Sequence, residues 1–349
     1  MKKLIGLLSV GFLIFSCNSI AQKNDDNEKP YITKTYVSSD LNNLKVETSG
    51  GGITVTGQSG NEAKVEVYIR PNNWNGRSLD KEEIEERLKK YVLTIKKEGN
   101  TLIASAKRKD SNWNDWKNAL NIGFKIYVPS KINTDVRTSG GGITMKNLAG
   151  TQRFSTSGGG LTLTNLSGDS KGSTSGGGIR ITNCKDKIDV STSGGGIDAN
   201  DSAGEIRLST SGGSLRLTNL KGNIKASTSG GGVRADAIKG DLVTHTSGGS
   251  IRIDDMDGSL EASTSGGGID VNMKSLGKYL TLSTSAGGIH VNMPMNQGMD
   301  LDLDGNRVKV PTLANFNGTI EKDRVRGKLN GGGIPVRMDS NAGGVYINE

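Results

Sequence analysis

The sequence is poor in the residues on which disulfide frameworks, zinc sites and His-dependent catalysis depend. Its 349 residues include two cysteines and two histidines. Two cysteines cannot build the disulfide framework of a small secreted domain, and two histidines leave little for a zinc site. We therefore expect no metal ion, no cofactor and no catalytic residues.

Aromatic residues and proline are scarce as well. Aromatics make up 4% and hydrophobic residues 33% of the chain, which is low for one thick globular core. There are six prolines, and glycine does not recur at every third residue, so a collagen triple helix is excluded. This composition would indicate disorder if the apolar residues were scattered, but they follow a strict pattern.

Long hydrophobic runs are missing except at the N-terminus. Lys2 and Lys3 precede an apolar stretch at residues 4–15, which is shorter than the ~20 residues of a membrane-spanning helix. A short apolar stretch behind positive charges is typical of a signal peptide. The sequence therefore predicts an exported protein of the cell envelope: an outer-membrane lipoprotein, a periplasmic or cell-surface protein, or a secreted one.

Two processing sites compete at the end of this stretch. Residues 13–17 resemble a lipobox, in which Cys17 would be lipidated and would anchor the protein to a membrane after removal of residues 1–16. A small-x-small site ending at Ala21 would instead give a signal peptide of residues 1–21. The position of the cysteine favours the lipobox slightly. A polar tether and a first strand are predicted at residues 22–40.

Glycine, in contrast, is abundant, with 51 residues or about 15% of the chain against an average of ~7%. Much of it lies in a Thr-Ser-Gly-Gly motif that recurs with an 18-residue period. A further copy at Ser285 follows after a longer interval, which indicates a two-residue insertion between Met273 and Leu280. The serines of the regular copies are Ser139, Ser157, Ser175, Ser193, Ser211, Ser229, Ser247 and Ser265.

Apolar residues occupy fixed positions in each repeat unit. They stand four and six residues after the serine, as in Ile179 and Ile181, and again thirteen and fifteen residues after it, as in Ile188 and Val190. Apolar residues two apart are typical of a strand that buries one face. Each unit is therefore predicted to contain two short strands and two turns.

One such unit cannot bury a face by itself, but a stack of units can. We therefore expect an all-β fold in which residues 131–349 form a parallel β-solenoid of 18-residue coils. A right-handed β-helix is favoured because crossovers between parallel strands are overwhelmingly right-handed. A left-handed helix of three hexapeptides per coil is the alternative. The threonine before each serine is predicted to form a hydroxyl ladder.

Residues 41–130 differ from the repeats. They are predicted to contain a first coil, at the motif around Ser49, and a small α+β insertion that caps the array. Residues 65–69 and 123–128 are predicted strands, and residues 91–106 a hairpin around Gly99. A short helix is predicted at residues 80–90, since Asp80 and Glu83 have the spacing of a capping box.

These features together resemble a known family. A signal peptide, an early strand region ending at Val128-Pro129, and serial Thr-Ser-Gly-Gly-Gly-Ile units are similar to the bacterial "putative adhesin" family of β-strand-repeat envelope proteins, a domain of unknown function. The similarity covers about residues 40–349. It implies a non-enzymatic protein of the cell surface or periplasm, and it brings no catalytic motif.

Five residues after the serine, the predicted outward position often holds arginine. Such arginines on successive units would lie ~4.8 Å apart and form a basic stripe for an anionic glycan or a lipid phosphate. The alternative is a solvated face of paired charges with Asp198, Asp236 and Asp254. Removal of Lys2 and Lys3 lowers the net charge from +8 to +6. Export from the cell argues against a nucleic-acid partner. The candidate ligand-binding arginines are Arg180, Arg216, Arg234 and Arg252.

All three tryptophans, Trp74, Trp113 and Trp116, lie in the predicted insertion, and the first two each stand between two asparagines. Aromatic rings beside amides can stack on sugar rings while the amides bind hydroxyls, so these tryptophans are candidate ligand-binding residues. The alternative is that they pack the insertion against the repeats.

Three classes of function follow. The first is a non-enzymatic surface protein, an adhesin that presents its repeats to a surface or glycan ligand. The second is a carbohydrate-active β-helix protein, either a polysaccharide lyase or a glycan-binding module. A lyase needs clustered acids and bases, whereas the outward columns hold mostly Ser, Thr, Arg and Asn. The third is an envelope-stress sensor or assembly factor. The oligomeric state stays open.

Overall fold

The computed structural model describes residues 29–72, 80–109 and 119–349, and these residues form one helix and 23 strands. The N-terminal part contains β1 (Ile32–Val37), β2 (Asn43–Thr48), β3 (Ile53–Gln58), β4 (Glu62–Pro71), α1 (Lys81–Leu88), β5 (Tyr91–Glu98), β6 (Thr101–Arg108) and β7 (Leu120–Pro129). The repeats contain β8 (Asn133–Thr138), β9 (Ile143–Thr156), β10 (Leu161–Thr174), β11 (Ile179–Thr182), β12 (Lys185–Thr192), β13 (Ile197–Asn200), β14 (Ala203–Thr210), β15 (Leu215–Thr228), β16 (Val233–Thr246), β17 (Ile251–Thr264), β18 (Ile269–Thr284) and β19 (Ile289–Asn292). The C-terminal part contains β20 (Met299–Lys309), β21 (Phe316–Ile320), β22 (Arg324–Leu329) and β23 (Ile334–Asn348).

Successive repeat units pair in parallel and in register. Val233 pairs with Ile251, one 18-residue period later, and the same offset holds along the whole length of β16 and β17. The two-residue insertion predicted between Met273 and Leu280 appears as register shifts between β17 and β18, where Leu260 pairs with Leu280. Because the offset is one full repeat, each outward or inward position of the sequence becomes a column of like positions.

The alternating apolar residues form a narrow, continuous core. Ile179 and Ile181 are buried while Arg180 between them is exposed, and the same alternation runs through the other units. Each unit contributes three to six buried apolar side chains in this way. Burial of each is worth about 1.5–3 kcal/mol, so stacking of the units supplies the core that one unit lacks.

The predicted parallel β-solenoid, a right-handed β-helix of 18-residue coils, is wrong. The described strands instead form one 23-stranded sheet that contains both parallel and antiparallel pairs. Within it, six parallel strands close into a barrel, in the order β10, β11, β13, β15, β14 and β12. The all-β class is confirmed, with a single described helix.

The barrel closes because the repeat units do not all divide into strands in the same way. In β10 and β15 one strand of 14 residues runs through the whole unit, where two short strands were predicted. The two units between them are each broken into a four-residue and an eight-residue strand. The two long strands therefore pair with both sets of short strands and close the ring. Apolar spacing identifies inward residues, but it does not determine where a bent strand breaks.

The repeated threonines are buried, but they do not bond to one another. Thr210 Oγ1 donates to the carbonyl of Gly195, 2.7 Å away, and accepts a hydrogen bond from the amide of Gly213 at 3.2 Å. The same pair of bonds recurs in the other repeat units. The predicted hydroxyl ladder is therefore a ladder of hydroxyl-to-glycine bonds that links each unit to the preceding one.

The N-terminal elements follow the sequence prediction. The predicted hairpin is β5 and β6, which are antiparallel, and the two predicted strands are β4 and β7, also antiparallel. The predicted helix is α1, and the Asp80 side chain accepts a hydrogen bond from the amide of Glu83. This is the N-cap bond that the spacing of the two residues indicated.

The C-terminal strands end the parallel pairing. Strand β23 still pairs in parallel with β18, β19 and β20, but β22 is antiparallel to both β20 and β21. Antiparallel strands thus occur at both ends of the repeats, with β1, β4 and β7 at the N-terminal end.

Candidate functional site

The four candidate arginines lie in one column on the outer face of the repeats. Parallel pairing places Arg180 beside Asp198, Asp198 beside Arg216, Arg216 beside Arg234, and Arg234 beside Arg252. All four arginines are exposed, because the residues on either side of each one point into the core. The structure thus brings together the arginines that the sequence placed five residues after the serine.

A groove of about 680 Å³ runs along this column, and we call it the arginine groove. The third position after the serine forms its floor and holds glycine or serine, namely Gly160, Gly178, Gly196, Ser214, Gly232 and Ser250. Because no larger side chain stands in this column, the space beside the arginines stays open. The glycines were predicted as turn residues, and their role as a groove floor was missed. The three-glycine run of the motif is the signal that could have indicated it.

The charges in the arginine groove are only partly compensated. Arg216 lies 3.8 Å from the Asp198 carboxylate, and Arg252 lies 3.2 Å from the Asp254 carboxylate. Arg180 and Arg234 form no ion pair with any residue that the structure describes. Exposed ion pairs of this kind contribute little energy, so all four guanidinium groups remain available to an anion.

The alternative, a solvated face of paired charges, describes Arg216 with Asp198 and Arg252 with Asp254, but not Arg180 and Arg234. A second charged face lies on the other half of the repeat units. On the second half of the repeat units Arg153 hydrogen-bonds to Asp169 at 2.6 Å, and this contact lowers the pKa of the Asp169 carboxyl. Lys171 pairs with Asp189 at 3.3 Å. Hydrogen bonds from Ser259 and Lys278 lower the pKa of Asp241. Three cations of that face, Arg153, Lys171 and Lys278, are thus paired with carboxylates.

Hydroxyl, amide and carboxylate groups flank the arginines. The next outward position, two residues after each arginine or Asp198, forms a second column on the same face. It contains Thr182, Asn200, Thr218, Asp236 and Asp254. Asp254 also accepts a hydrogen bond from the Asn272 amide at 2.7 Å. The arginine groove thus has donors for acidic groups beside donors and acceptors for hydroxyls.

Four of the predicted site residues lie outside the described residues. These are Trp74, Trp113, Trp116 and the lipidation candidate Cys17. Their assignments stay predictions from the sequence.

The solitary histidines and the remaining cysteine occupy separate places. His290 lies 3.5 Å from the Asp270 carboxylate and stacks on Tyr346, with ring centroids 4.8 Å apart. Cys184 is buried in the core. Within residues 29–72, 80–109 and 119–349, no three His, Cys, Asp or Glu residues are grouped to hold a metal ion. In the same ranges no helix is both long and apolar enough to span a membrane.

Comparisons with known proteins give structural neighbours only. No family model and no curated protein sequence matches the chain. A putative cell adhesion protein from Clostridium sporogenes is 12% identical, over 91% of this chain and 99% of that chain, with a TM-score of 0.17. A putative adhesin from Bacteroides fragilis is 14% identical, over 91% and 96%, with a TM-score of 0.25. A putative lipid binding protein from Parabacteroides distasonis is 13% identical, over 92% and 98%, with a TM-score of 0.29.

Two of these three neighbours are named as adhesion proteins and one as a lipid binding protein. With TM-scores this low, the similarity supports no inference about fold or activity.

Proposed function

We propose that the protein is an exported, non-enzymatic binding protein whose arginine groove binds a linear anionic polysaccharide of a cell surface. The observation that supports this is the concentration of four exposed arginines along one groove. Among the described residues that line the groove, Asp198 is the only carboxylate. Arg180 and Arg234 form no ion pair with any described residue, so an anion gains charge-assisted hydrogen bonds from them without displacing one.

The shape of the arginine groove favours a chain over a small ion. Its neighbouring cations lie one or two strand spacings of ~4.8 Å apart along the direction in which the units stack, because Asp198 stands between Arg180 and Arg216. A linear polymer with regularly spaced acidic groups can contact several of them at once, and its affinity then exceeds that of any single contact. The flanking Thr182, Asn200 and Thr218 suit the hydroxyl groups that distinguish a polysaccharide from a simple polyanion.

Export and anchoring belong to the same proposal. The predicted signal peptide would carry the protein to the cell envelope, and a lipidated Cys17 would hold it on a membrane through the polar tether. The tryptophans of the N-terminal part would add sugar-stacking contacts. These three elements rest on the sequence.

The test is binding of labelled polygalacturonate by wild-type protein and an Arg216→Gln/Arg234→Gln variant. Each lost arginine removes charge-assisted hydrogen bonds, so the dissociation constant should rise about tenfold per arginine. Arg207→Gln/Arg326→Gln is the matched control, since it makes the same change of charge. Arg207 and Arg326 are exposed and lie outside the arginine groove. Binding by this control should stay close to that of the wild type.

Three results would contradict the proposal. One is the absence of binding to any anionic polysaccharide by the wild-type protein. Another is equal binding to neutral dextran, because the groove should select for charge. The third is depolymerisation of the bound chain, which would favour the alternative of a polysaccharide lyase.

Rising salt should weaken binding, because dissolved ions screen the attraction between exposed charges. At 0.1 M salt this attraction decays over about 10 Å.

A further inference from the structure

A second groove lies on the same face, at its N-terminal end. It has a volume of about 530 Å³ and is lined by Tyr68, Arg70, Asn121 and Lys125, over a floor that includes Gly51 and Gly52. Two of these side chains are cationic, one is aromatic and one is an amide. Among the described residues that line it, none is a carboxylate. We call it the tyrosine groove.

The antiparallel pairing of β4 and β7 assembles this set. Arg70 lies opposite Asn121, and Tyr68 lies opposite Gly123, which has no side chain. Lys125 Nζ lies 4.7 Å from the centre of that ring. The nearby carboxylate of Glu66 is already engaged, because it accepts a hydrogen bond from the Tyr68 hydroxyl at 3.0 Å and pairs with Lys64 at 2.7 Å.

The two grooves are continuous. Thr144 lines the tyrosine groove and Thr162 lines the arginine groove, and these two residues are cross-strand neighbours. The floors also meet, since a Cβ atom on Gly142 would come within 3.1 Å of the Gly160 carbonyl oxygen. In-register pairing continues the column from Lys125 through Thr54 to Thr144. From Lys125 to Arg252 the column extends for about 38 Å at the strand spacing of ~4.8 Å.

We infer that the tyrosine groove is a second subsite for the same ligand, and that this ligand is an acidic polysaccharide chain long enough to span both grooves. Arg70 and Lys125 bind its acidic groups, and the Tyr68 ring packs against a sugar ring. Asn121 and the threonines at the junction bind sugar hydroxyls. This inference rests on the proposed function of the arginine groove.

A sugar chain fits the tyrosine groove better than a polyphosphate does. A polyphosphate has no apolar ring face to pack against the tyrosine and no hydroxyls to bind the amide. An acidic polysaccharide offers carboxylates or sulfates, hydroxyls and the apolar faces of its rings. The chemistry of this subsite therefore selects a sugar polymer.

The first experiment compares two lengths of oligogalacturonate on the full chain. One oligomer is shorter than about 20 Å, the span from Arg180 to Arg252, and the other is longer than about 40 Å. The wild type should bind the long oligomer at least about tenfold more tightly than the short one, because the second contact is intramolecular. An Arg70→Gln/Lys125→Gln variant should lose this difference.

The control for this variant is Lys96→Gln/Lys107→Gln, in which two cations of the neighbouring hairpin are removed outside both grooves. It should keep the preference for the long oligomer. A thermal melt of each variant verifies that the protein is folded. Failure of the wild type to bind either oligomer would overturn the proposed function. Equal affinity for both lengths would overturn the second subsite alone.

A second variant tests the junction between the grooves. Thr144→Glu places a negative charge where the sugar chain would pass between the grooves, so it should weaken binding of the long oligomer by about tenfold. Thr144→Arg should strengthen binding of the long oligomer. Unchanged affinity of the long oligomer in both variants would show that the two grooves do not share one ligand and would overturn the inference. Tighter binding of a polyphosphate of similar length would overturn the assignment to a sugar polymer.

Discussion

A buried hydroxyl group joins each repeat unit to the one before it. Thr210 donates to the Gly195 carbonyl and accepts from the Gly213 amide, and it is 4% exposed. We predict that Thr210→Val, which keeps the shape but loses both bonds, lowers the free energy of unfolding by about 1–3 kcal/mol, because two polar backbone groups become unsatisfied. Urea unfolding followed by circular dichroism measures the change.

The control for this prediction is already present in the chain. Ser340 occupies the equivalent place near the C-terminus and makes the same two bonds, to the Gly287 carbonyl at 2.7 Å and from the Gly343 amide at 3.0 Å. Thr210→Ser should therefore retain most of the stability that Thr210→Val loses. Equal losses in the two variants would mean that the methyl group, and not the hydroxyl, provides the stabilisation.

The reactivity of the Cys184 thiol should depend on pH and on folding. This thiol is buried, and burial raises its pKa above the ordinary value. The pKa of the thiol is thus higher in the folded protein than in the unfolded chain. Its contribution to stability is fully present below the pKa of the unfolded chain, and it is lost as the pH rises through the higher pKa of the folded protein. Thiolate is the reactive form. Iodoacetamide labelling of a Cys17→Ser protein at about pH 8 should therefore be slow when folded and fast in denaturant.

The outcome that contradicts this prediction is rapid labelling of the folded protein at the same pH. A Cys184→Leu variant offers an independent check of the site. Leucine occupies the matching place in a neighbouring unit, at Leu166, and it is fully buried there. The variant should fold with nearly unchanged stability, since a buried free cysteine behaves as a small hydrophobic side chain.

At the scale of the element, the two inner glycines of each motif differ in what surrounds them. A Cβ atom on Gly213 would lie 2.1 Å from the Gly195 carbonyl oxygen, whereas one on Gly212 would come no closer than 3.4 Å to the backbone of the preceding unit. We predict that Gly213→Ala lowers the free energy of unfolding by about 2 kcal/mol or more, because the backbones of neighbouring units must separate. Gly212→Ala should be close to neutral.

Thermal unfolding of this matched pair measures the difference directly. Both variants add the same methyl group to the same turn, so the effect of alanine on the unfolded chain cancels between them. Equal melting temperatures would contradict the view that the second glycine is required by the close approach of adjacent units.

For the whole molecule, the constant register predicts that one repeat unit is removable. Deletion of residues 230–247 joins Ser229 to Gly248 and retains the pairing pattern, because β15, β16 and β17 pair with one another at the same 18-residue offset. The shortened protein should fold, with a similar far-ultraviolet circular dichroism spectrum per residue. It lacks Arg234, so its affinity for polygalacturonate should fall by about tenfold.

Deletion of residues 239–247 is the matched control. It removes half a unit, so the inward residues of one unit would lie beside a turn of the next unit. The protein should therefore be unfolded or aggregated. A folded, cooperative half-unit deletion would contradict the importance of the 18-residue register.

Much of the local structure could be predicted from the sequence. The alternating apolar residues identified the buried faces of the strands, and the spacing of Asp80 and Glu83 identified the start of α1. The position of the four arginines in one outward column also followed from the period. These features depend on contacts between near neighbours or on a fixed offset, and both are visible in a single chain.

The sequence by itself determined the all-β class, the 18-residue period, and which side chains face solvent. Only the tertiary structure decided that six strands close into a barrel and that Gly213 packs against the backbone of Gly195. It also decided that the arginine groove and the tyrosine groove are continuous. Strand breaks, the close approach of neighbouring backbones, and the meeting of β7 with β3 all depend on how distant segments pack. That packing is a property of the folded chain as a whole, and no local pattern encodes it.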